Sequence, residues 1–220
     1  MGLKQQQIPL SVNQQIDNLK ALNLTIQDES LAASFLNDVS YFRFIKAYSL
    51  GLKPKNGSYY SGTTFEQLME LYLFNSNFRQ LLFPLIERVE ILSFGTLSKL
   101  YKNMKNTDKK QIASIYGIGY TYLESWIENI AYVRNLCAHY GRLYNAKLTK
   151  TPKLYYQDRK LGITNNRIFG VLCCLKYLLP NDRHWMDFLD SLNLLFEKYP
   201  HADKTTMGFT KNWQELLKSR

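Results

Sequence analysis

Hydrophobic residues recur three and four positions apart along most of the chain, which is the spacing that places them on one face of an α-helix. No segment alternates hydrophobic and polar residues for long enough to indicate an amphipathic strand. The pattern predicts a helix over residues 12–22 and a second from about residue 30 to residue 50. The polar segment KPKNGSYYSG follows and is typical of a loop or a hairpin-like excursion.

The longest periodic segment covers residues 65–102, and Thr64 and Gln67 have the spacing of a capping box at its start. Pro84 and the small residues SFGTLS at positions 93–98 predict that this helix breaks or kinks. A short helix around Ile112 is expected to follow the lysine-rich polar connector KNMKNTDKKQ.

The C-terminal half continues the helical pattern. Thr121 and Glu124 again have capping-box spacing, so we expect a helix over about residues 121–142. A hydrophobic helix, NNRIFGVLCCLKYLL, should end at Pro180, and the next helix should be capped by Asp182. The segment MGFTKNW predicts a loop that leads into a short final helix.

The composition is sufficient for a substantial core, because 45% of the 220 residues are hydrophobic and 16 Tyr and 12 Phe are present. We therefore predict a single all-α domain over residues 1–220, with roughly six to eight helices. No signal-peptide core or stretch of roughly 18 apolar residues is visible, so a cytoplasmic location without a membrane partner is expected. Cys137, Cys173 and Cys174 are then expected to be free thiols.

The charge of the chain changes this picture. Lys and Arg number 28 against 18 Asp and Glu, giving a formal net charge of +10. Such an excess of positive charge favours a polyanionic partner. The classes of partner that fit are nucleic acid, an acidic protein and an anionic membrane surface.

The segment VRNLCAHYGRLYN, residues 133–145, concentrates hydrogen-bonding and cationic chemistry. On a helix that turns about 100° per residue, one narrow stripe carries five polar side chains. They are Glu124, Glu128, Asn135, His139 and Arg142. Arg134 lies at the flank of this stripe, and Arg142 joins it only if the helix persists past His139.

This stripe suits phosphate chemistry, since arginine binds phosphate oxygens bidentately and histidine changes charge near neutral pH. Together these groups could bind a phosphodiester and move a proton, which is sufficient to cleave RNA by attack of its own 2′-hydroxyl. The residues alone leave three readings open: catalysis, binding of phosphate or RNA without catalysis, and a structural polar stripe.

Other sites find less support. The three histidines share no metal-ligand spacing, Cys137 and His139 point apart on a helix, and YGIGYTY lacks the lysine of a phosphate-binding loop. We expect no metal and no cofactor.

Arg134 to His139 matches the R-x4-H motif of HEPN ribonucleases, here as R-N-x3-H. Further matching segments extend from about Ile8 to Trp213: YFRFIKAYSL, GTTFEQLMELYLFNSNFRQLL, LIERVE, LSFGTLSKLYKNMK, SWIENIAYVRNLCAHYGRLYN and MGFTKNW. With them the chain resembles bacterial abortive-infection proteins of the AbiD/AbiF type.

The resemblance implies an all-α, HEPN-like helical bundle with additional N- and C-terminal helices, and a phage-defence or toxin-like role. RNA would be its substrate or a bound small structured partner. His139 would act as general acid or base, Arg134 would polarise the scissile phosphate and Asn135 would orient both. The cleavage would need no metal, would leave 2′,3′-cyclic phosphate and 5′-hydroxyl ends, and would use a homodimer with paired motifs.

In longer members, the resemblance implies, several dozen residues separate LIERVE from LSFGTLS. In this chain the two segments follow each other directly as LIERVEILSFGTLSK, so an internal segment before Leu92 is expected to be missing. Three functions stay open: an RNA-cleaving effector, a non-catalytic protein bound to a structured or guide-like RNA, and an interaction module for an acidic partner. The segment LTKTPKLYYQDRK is predicted to be a loop that either binds RNA or is merely solvated. The RNA-binding candidates outside the motif are Arg142, Lys150, Lys153, Arg159, Lys160, Arg43 and Lys46.

Overall fold

The computed structural model describes residues 10–90, 97–179 and 183–218, and these residues are helical without a strand. The predicted all-α class is therefore confirmed. The described ranges contain eleven α-helices and one 3-10 helix, more than the six to eight expected. The helix expected at residues 30–50 is divided, and the short helix Tyr156–Lys160 lies in LTKTPKLYYQDRK, which is predicted to be a loop. The chain forms two compact units, residues 1–72 and 73–220, and α4 belongs to both.

The helices of the first unit are α1 (Val12–Ala21), α2 (Glu29–Asp38), α3 (Tyr41–Tyr48) and the first turns of α4 (Phe65–Glu90). The predicted capping box at α4 is confirmed: the Gln67 backbone N–H donates to Thr64 Oγ1, and the Thr64 N–H donates to Gln67 Oε1, both at 3.1 Å. Lys53 to Gly62 form turns and contain only one residue of an isolated bridge, Leu50–Lys53.

The single helix expected from residue 30 to residue 50 is wrong. Val39 adopts an extended conformation and separates α2 from α3. On a continuous helix, Phe35 and Phe44 would point about 180° apart, because nine residues correspond to two and a half turns. The break brings their ring centroids to 4.9 Å in an edge-on contact. Aromatic packing therefore overrides helix continuity.

The second unit contains the rest of α4 and seven further α-helices. They are α5 (Leu97–Asn103), α6 (Asn106–Ile115), α7 (Tyr120–Ala138), α8 (Tyr156–Lys160), α9 (Ile168–Leu178), α10 (Arg183–Lys198) and α11 (Trp213–Lys218), with a 3-10 helix at Lys204–Met207. Helix α9 is buried on nearly every side, and both α7 and α11 pack against it. The loop-then-helix prediction for the C-terminus is confirmed.

Helix α4 does not break at Pro84 but continues through it to Glu90, because burial of Leu82, Leu85 and Ile86 outweighs the single hydrogen bond that proline removes. A second local prediction in this unit is wrong. Helix α7 has no Thr121–Glu124 capping box.

Gly119 caps α7 without a side-chain hydrogen bond. Glu124 instead forms an ion pair of 3.0 Å with the buried Lys109. Pro180, Asp182 and residues 93–96, where SFGTLS predicts a break, lie outside the described residues.

All three thiols are free and buried. Burial raises the pKa of Cys137 and of Cys173 from 9.0 to about 12, and it raises that of Cys174 well above its ordinary value. None of the described helices combines the length and the apolar character needed to cross a bilayer.

We expect the folded protein to resist iodoacetamide at pH 9, because the thiolate is the reactive form and the buried thiols stay protonated. Unfolding in urea should expose all three cysteines to modification, which mass spectrometry would count. The raised pKa values also mean that folding stability decreases as the pH rises from about 9 towards 12, since only the unfolded thiols ionise there. Fast labelling of the native chain at pH 9 would contradict this burial.

Candidate functional site

The C-terminal end of α7 carries the R-N-x3-H motif, and it differs from the predicted helix over residues 121–142. The helix ends at Ala138, His139 is its C-cap, and Tyr140 adopts a left-handed conformation with φ of 55°. The Gly141 N–H donates to the Leu136 carbonyl at 2.6 Å, and the Tyr140 N–H donates to that of Cys137 at 3.3 Å. These bonds form a Schellman motif, which terminates the helix.

Glycine is required after Tyr140. A Cβ atom at Gly141 would lie 2.9 Å from the Leu136 carbonyl oxygen, closer than such contacts allow. Because the chain turns here, Arg142 does not continue the helical stripe. It lies half-buried beyond the turn, where its charge acts to lower the pKa of Tyr144, although burial has the larger effect and raises that pKa.

Within α7 the motif residues point in different directions. Asn135 and His139 lie one turn apart, are both exposed, and are joined by the His139 backbone N–H, which donates to the Asn135 carbonyl at 3.0 Å. Arg134 is half-buried and lies about 140° around the helix from His139, because five residues separate them. One chain therefore presents an amide and an imidazole on one side and a guanidinium on another.

Helix α4 supplies partners that sequence reasoning missed. Asn75, Arg79 and Phe83 are spaced four residues apart and share one face. The guanidinium carbon of Arg134 lies 5.8 Å from the centre of the Phe83 ring, a cation–π contact that helps to hold the motif arginine. Their four-residue spacing in a hydrophobic helix is the signal that could have identified these residues.

Arg79 is a buried cation directly beside the motif. It is 8% exposed, its Nε donates to the Asn75 carbonyl at 3.4 Å, and its guanidinium carbon lies 5.2 Å from the Tyr140 ring centre. Among the described residues it forms no ion pair with a carboxylate. Its charge acts to lower the pKa of Cys137 against the dominant effect of burial. Positive charge is thus concentrated where α7 ends.

A groove of about 370 Å³ runs along the predicted polar stripe, between α5 and α7, and we name it the α5–α7 groove. Its lining is Ser98, Lys99, Lys102, Glu124, Glu128, Ala131, Tyr132, Asn135 and Lys150. Glu128 pairs with Lys150 at 3.0 Å, and Glu124 pairs with Lys109. Because both carboxylates have lysine partners, Lys99 and Lys102 leave the groove with an excess of positive charge.

The segment expected to be a solvated or RNA-binding loop is held against α7. Asn129 Nδ2 donates to the Lys150 carbonyl and Trp126 Nε1 to the Lys153 carbonyl, each at 2.7 Å. The Lys153 N–H donates to Ser125 Oγ at 2.9 Å. Helix α7 thus fixes the backbone of this segment and leaves its lysine side chains exposed.

The predicted RNA-binding cations do not form one cluster. Lys150 lines the α5–α7 groove, whereas Lys153 and Arg159 line a cavity of about 590 Å³ together with Tyr122. Lys160 lies over the Tyr156 ring at 4.9 Å. Arg43 and Lys46 are exposed on α3 of the first unit, and Lys46 lies 5.4 Å from the ring centre of Phe42.

Comparison with protein families identifies one to which this chain belongs. A family model described as "Abi-like protein" matches residues 34–93 and 89–145, which together cover just over half of the chain. The chain belongs to the Abi-like protein family. Membership indicates a role in abortive infection, a form of phage defence. Searches of curated proteins and of solved structures gave no significant match.

The two matched segments include α4 and most of the site at the end of α7. They overlap at residues 89–93. Residues 91–96 lie outside the described part of the chain.

Replacing Asn75 by alanine should destabilise the second unit by about 2 kcal/mol or more. Its Oδ1 atom accepts the backbone N–H groups of Leu143 at 2.8 Å and Tyr144 at 2.9 Å, and a buried donor left without a partner costs about 1–3 kcal/mol. Urea unfolding followed by tryptophan fluorescence measures this, because all three tryptophans lie in this unit.

The matched control is Asn193→Ala. Asn193 is half-buried, but its hydrogen bonds to Glu197 and Gln214 are exposed to solvent, so its loss should change the free energy of unfolding by less than about 1 kcal/mol. Equal effects of the two substitutions would show that Asn75 does not hold the chain after α7.

Proposed function

We propose that this Abi-like protein is an RNA-targeting effector of phage defence that cleaves RNA without a metal ion. Arg134, Asn135 and His139 would carry the reaction, with Arg79 as a further source of positive charge. The observation that carries the proposal is the end of α7, where an exposed Asn135–His139 pair stands beside two arginines in contact with aromatic rings. RNA supplies both the anion that such a site binds and an internal nucleophile.

The reaction follows from these groups. An imidazole accepts the proton of the ribose 2′-hydroxyl as the 2′-oxygen attacks phosphorus. The bond between phosphorus and the 5′-oxygen breaks, and the leaving oxygen receives a proton from a general acid. Arginine stabilises the additional negative charge on the pentacoordinate phosphorus. The products are a 2′,3′-cyclic phosphate and a 5′-hydroxyl, with no net gain or loss of protons or electrons.

A homodimer is the second part of this proposal. Two protons move in the reaction, but each chain places one histidine at the motif. Arg134 points towards Phe83 on α4 while Asn135 lines the α5–α7 groove, so one chain does not direct all motif residues to one spot. Two copies that meet at the ends of their α7 helices would bring two imidazoles and two guanidiniums to one phosphate.

We expect His139→Ala to lower the rate of RNA cleavage by about 10²–10⁴-fold, because general acid–base catalysis contributes that much. Arg134→Lys should also impair cleavage, since lysine keeps the charge but loses the planar fork that binds phosphate. The measurement is cleavage of a labelled single-stranded RNA in EDTA, with the product ends identified by mass spectrometry.

The matched control is His184→Ala on α10, an exposed histidine outside the motif, which should leave the rate unchanged. Thermal denaturation of each variant separates loss of catalysis from loss of folding. Cleavage by folded His139→Ala at the wild-type rate would refute the proposed catalytic residues.

The α5–α7 groove favours a second candidate function, the retention of a small structured RNA without cleavage. Lys99 and Lys102 lie in this groove together with Asn135, and lysines along a groove bind phosphates in a sequence-independent way.

For this function we expect K99Q/K102Q to weaken RNA binding and to reduce its salt dependence, because two fewer phosphates would be neutralised. The control is K211Q/K218Q, which removes two exposed lysines outside the groove. Fluorescence anisotropy at several salt concentrations measures both effects. Intact RNA that copurifies with the protein would favour retention, whereas cyclic phosphate ends would favour cleavage. Equal binding by both double variants would exclude the groove as the RNA path.

A further inference from the structure

Tyr140 has an unusual combination of backbone conformation and exposure. Its φ of 55° lies in the left-handed region. Glycine adopts this conformation readily and asparagine and aspartate tolerate it, but it is costly for other residues. Helices that end in a Schellman motif mostly place glycine at this position. The ring is nevertheless 74% exposed, so burial of the ring does not account for the choice of tyrosine. Strained positions of this kind are concentrated at functional sites.

The Tyr140 ring is also held in place by a contact with Arg79 on one of its sides. The Arg79 guanidinium lies 5.2 Å from the ring centre, and Arg79 is itself anchored on α4 by its hydrogen bond to the Asn75 carbonyl. One side of the Tyr140 ring therefore rests on a buried cation, and most of the ring surface remains accessible. A ring fixed in this manner loses little conformational entropy when a flat group packs on its open side.

We infer that Tyr140 is a stacking platform for a nucleobase of single-stranded RNA, with Arg79 as its positioning residue. The inference rests on the proposed function, because it assigns the nucleotide contact beside His139. Stacking on an aromatic side chain is tolerant of sequence, since every base has a π-face. The base on Tyr140 would fix the nucleotide next to the phosphate that His139 approaches.

The test uses short single-stranded RNA that contains 2-aminopurine and 2′-O-methyl groups, which remove the nucleophile and keep the RNA intact. Binding to the wild type should quench the 2-aminopurine fluorescence through stacking. Tyr140→Asn removes the ring but keeps a residue that tolerates the left-handed conformation. It should weaken binding about 5- to 100-fold and abolish the quenching. Tyr140→Phe keeps an aromatic ring and should retain both the wild-type affinity and the quenching.

Two further variants sharpen the experiment. Arg79→Met removes the cation under the ring and should reduce the quenching even at saturating RNA, where a loss of charge alone would only raise the Kd. Tyr60→Asn replaces an exposed tyrosine of the first unit and should change neither signal. Light scattering on each variant determines whether Tyr140 instead contacts a second copy of the chain.

Unchanged binding and quenching by folded Tyr140→Asn would overturn the inference, as would absence of quenching with the wild type. Conversion of a dimer to a monomer by Tyr140→Asn, without quenching in the wild type, would assign the ring to a protein interface. Quenching without cleavage of ordinary RNA would leave the platform standing and refute the ribonuclease. Cleavage by the wild type, combined with normal RNA binding by Tyr140→Asn, would support the ribonuclease and refute the stacking platform.

Discussion

The geometry of the site depends on the side chain of Asn75. Its amide oxygen accepts the backbone N–H groups of Leu143 and Tyr144, and the residue is 1% exposed. Both donors lie just after the chain leaves α7, where they have no helical partner. Asn75 therefore fixes the direction in which the chain leaves the motif. Because an unpaired donor at this depth is costly, the turn between His139 and Leu143 is tied to α4.

The same face of α4 distributes positive charge around the motif. Arg79 lies one turn beyond Asn75, and Phe83 one turn further, so each contacts a successive feature at the end of α7. The Arg79 guanidinium contacts the Tyr140 ring, and the Arg134 guanidinium contacts the Phe83 ring. Among the described residues Arg79 has no carboxylate partner, so its burial carries a desolvation cost that an anion bound next to it would offset. This is the electrostatic reason for the affinity we propose for RNA.

Helix α7 has three sides with different tasks. One side holds the backbone of the following segment through Ser125, Trp126 and Asn129. A second contributes Ile130 and Val133 to the core. The third is the polar stripe along the α5–α7 groove, where Glu128 is paired with Lys150. Since the described residues cover the first two sides, this stripe and the C-terminal end of the helix are the parts that a partner would contact.

The sequence by itself determined the helical class, the positions of most helices, the capping box at Thr64 and the polar stripe that includes Asn135 and His139, whereas the exposure of these two residues comes from the structure. These follow from residue spacing, because helix periodicity and capping depend on neighbours within a few positions. The family resemblance located the motif, and the family match agrees with it at the level of Abi-like proteins.

Only the tertiary structure decided where α7 ends, why the helix predicted from residue 30 to residue 50 is divided, and which residues surround the motif. The contacts of Asn75 with Leu143 and of Arg79 with Tyr140 join positions about sixty to seventy residues apart, and no local pattern encodes such pairs. Pro84 also shows that local sequence signals do not decide the structure alone, because burial of its neighbours outweighs the tendency of proline to break a helix. Long-range packing thus set what short-range spacing left open.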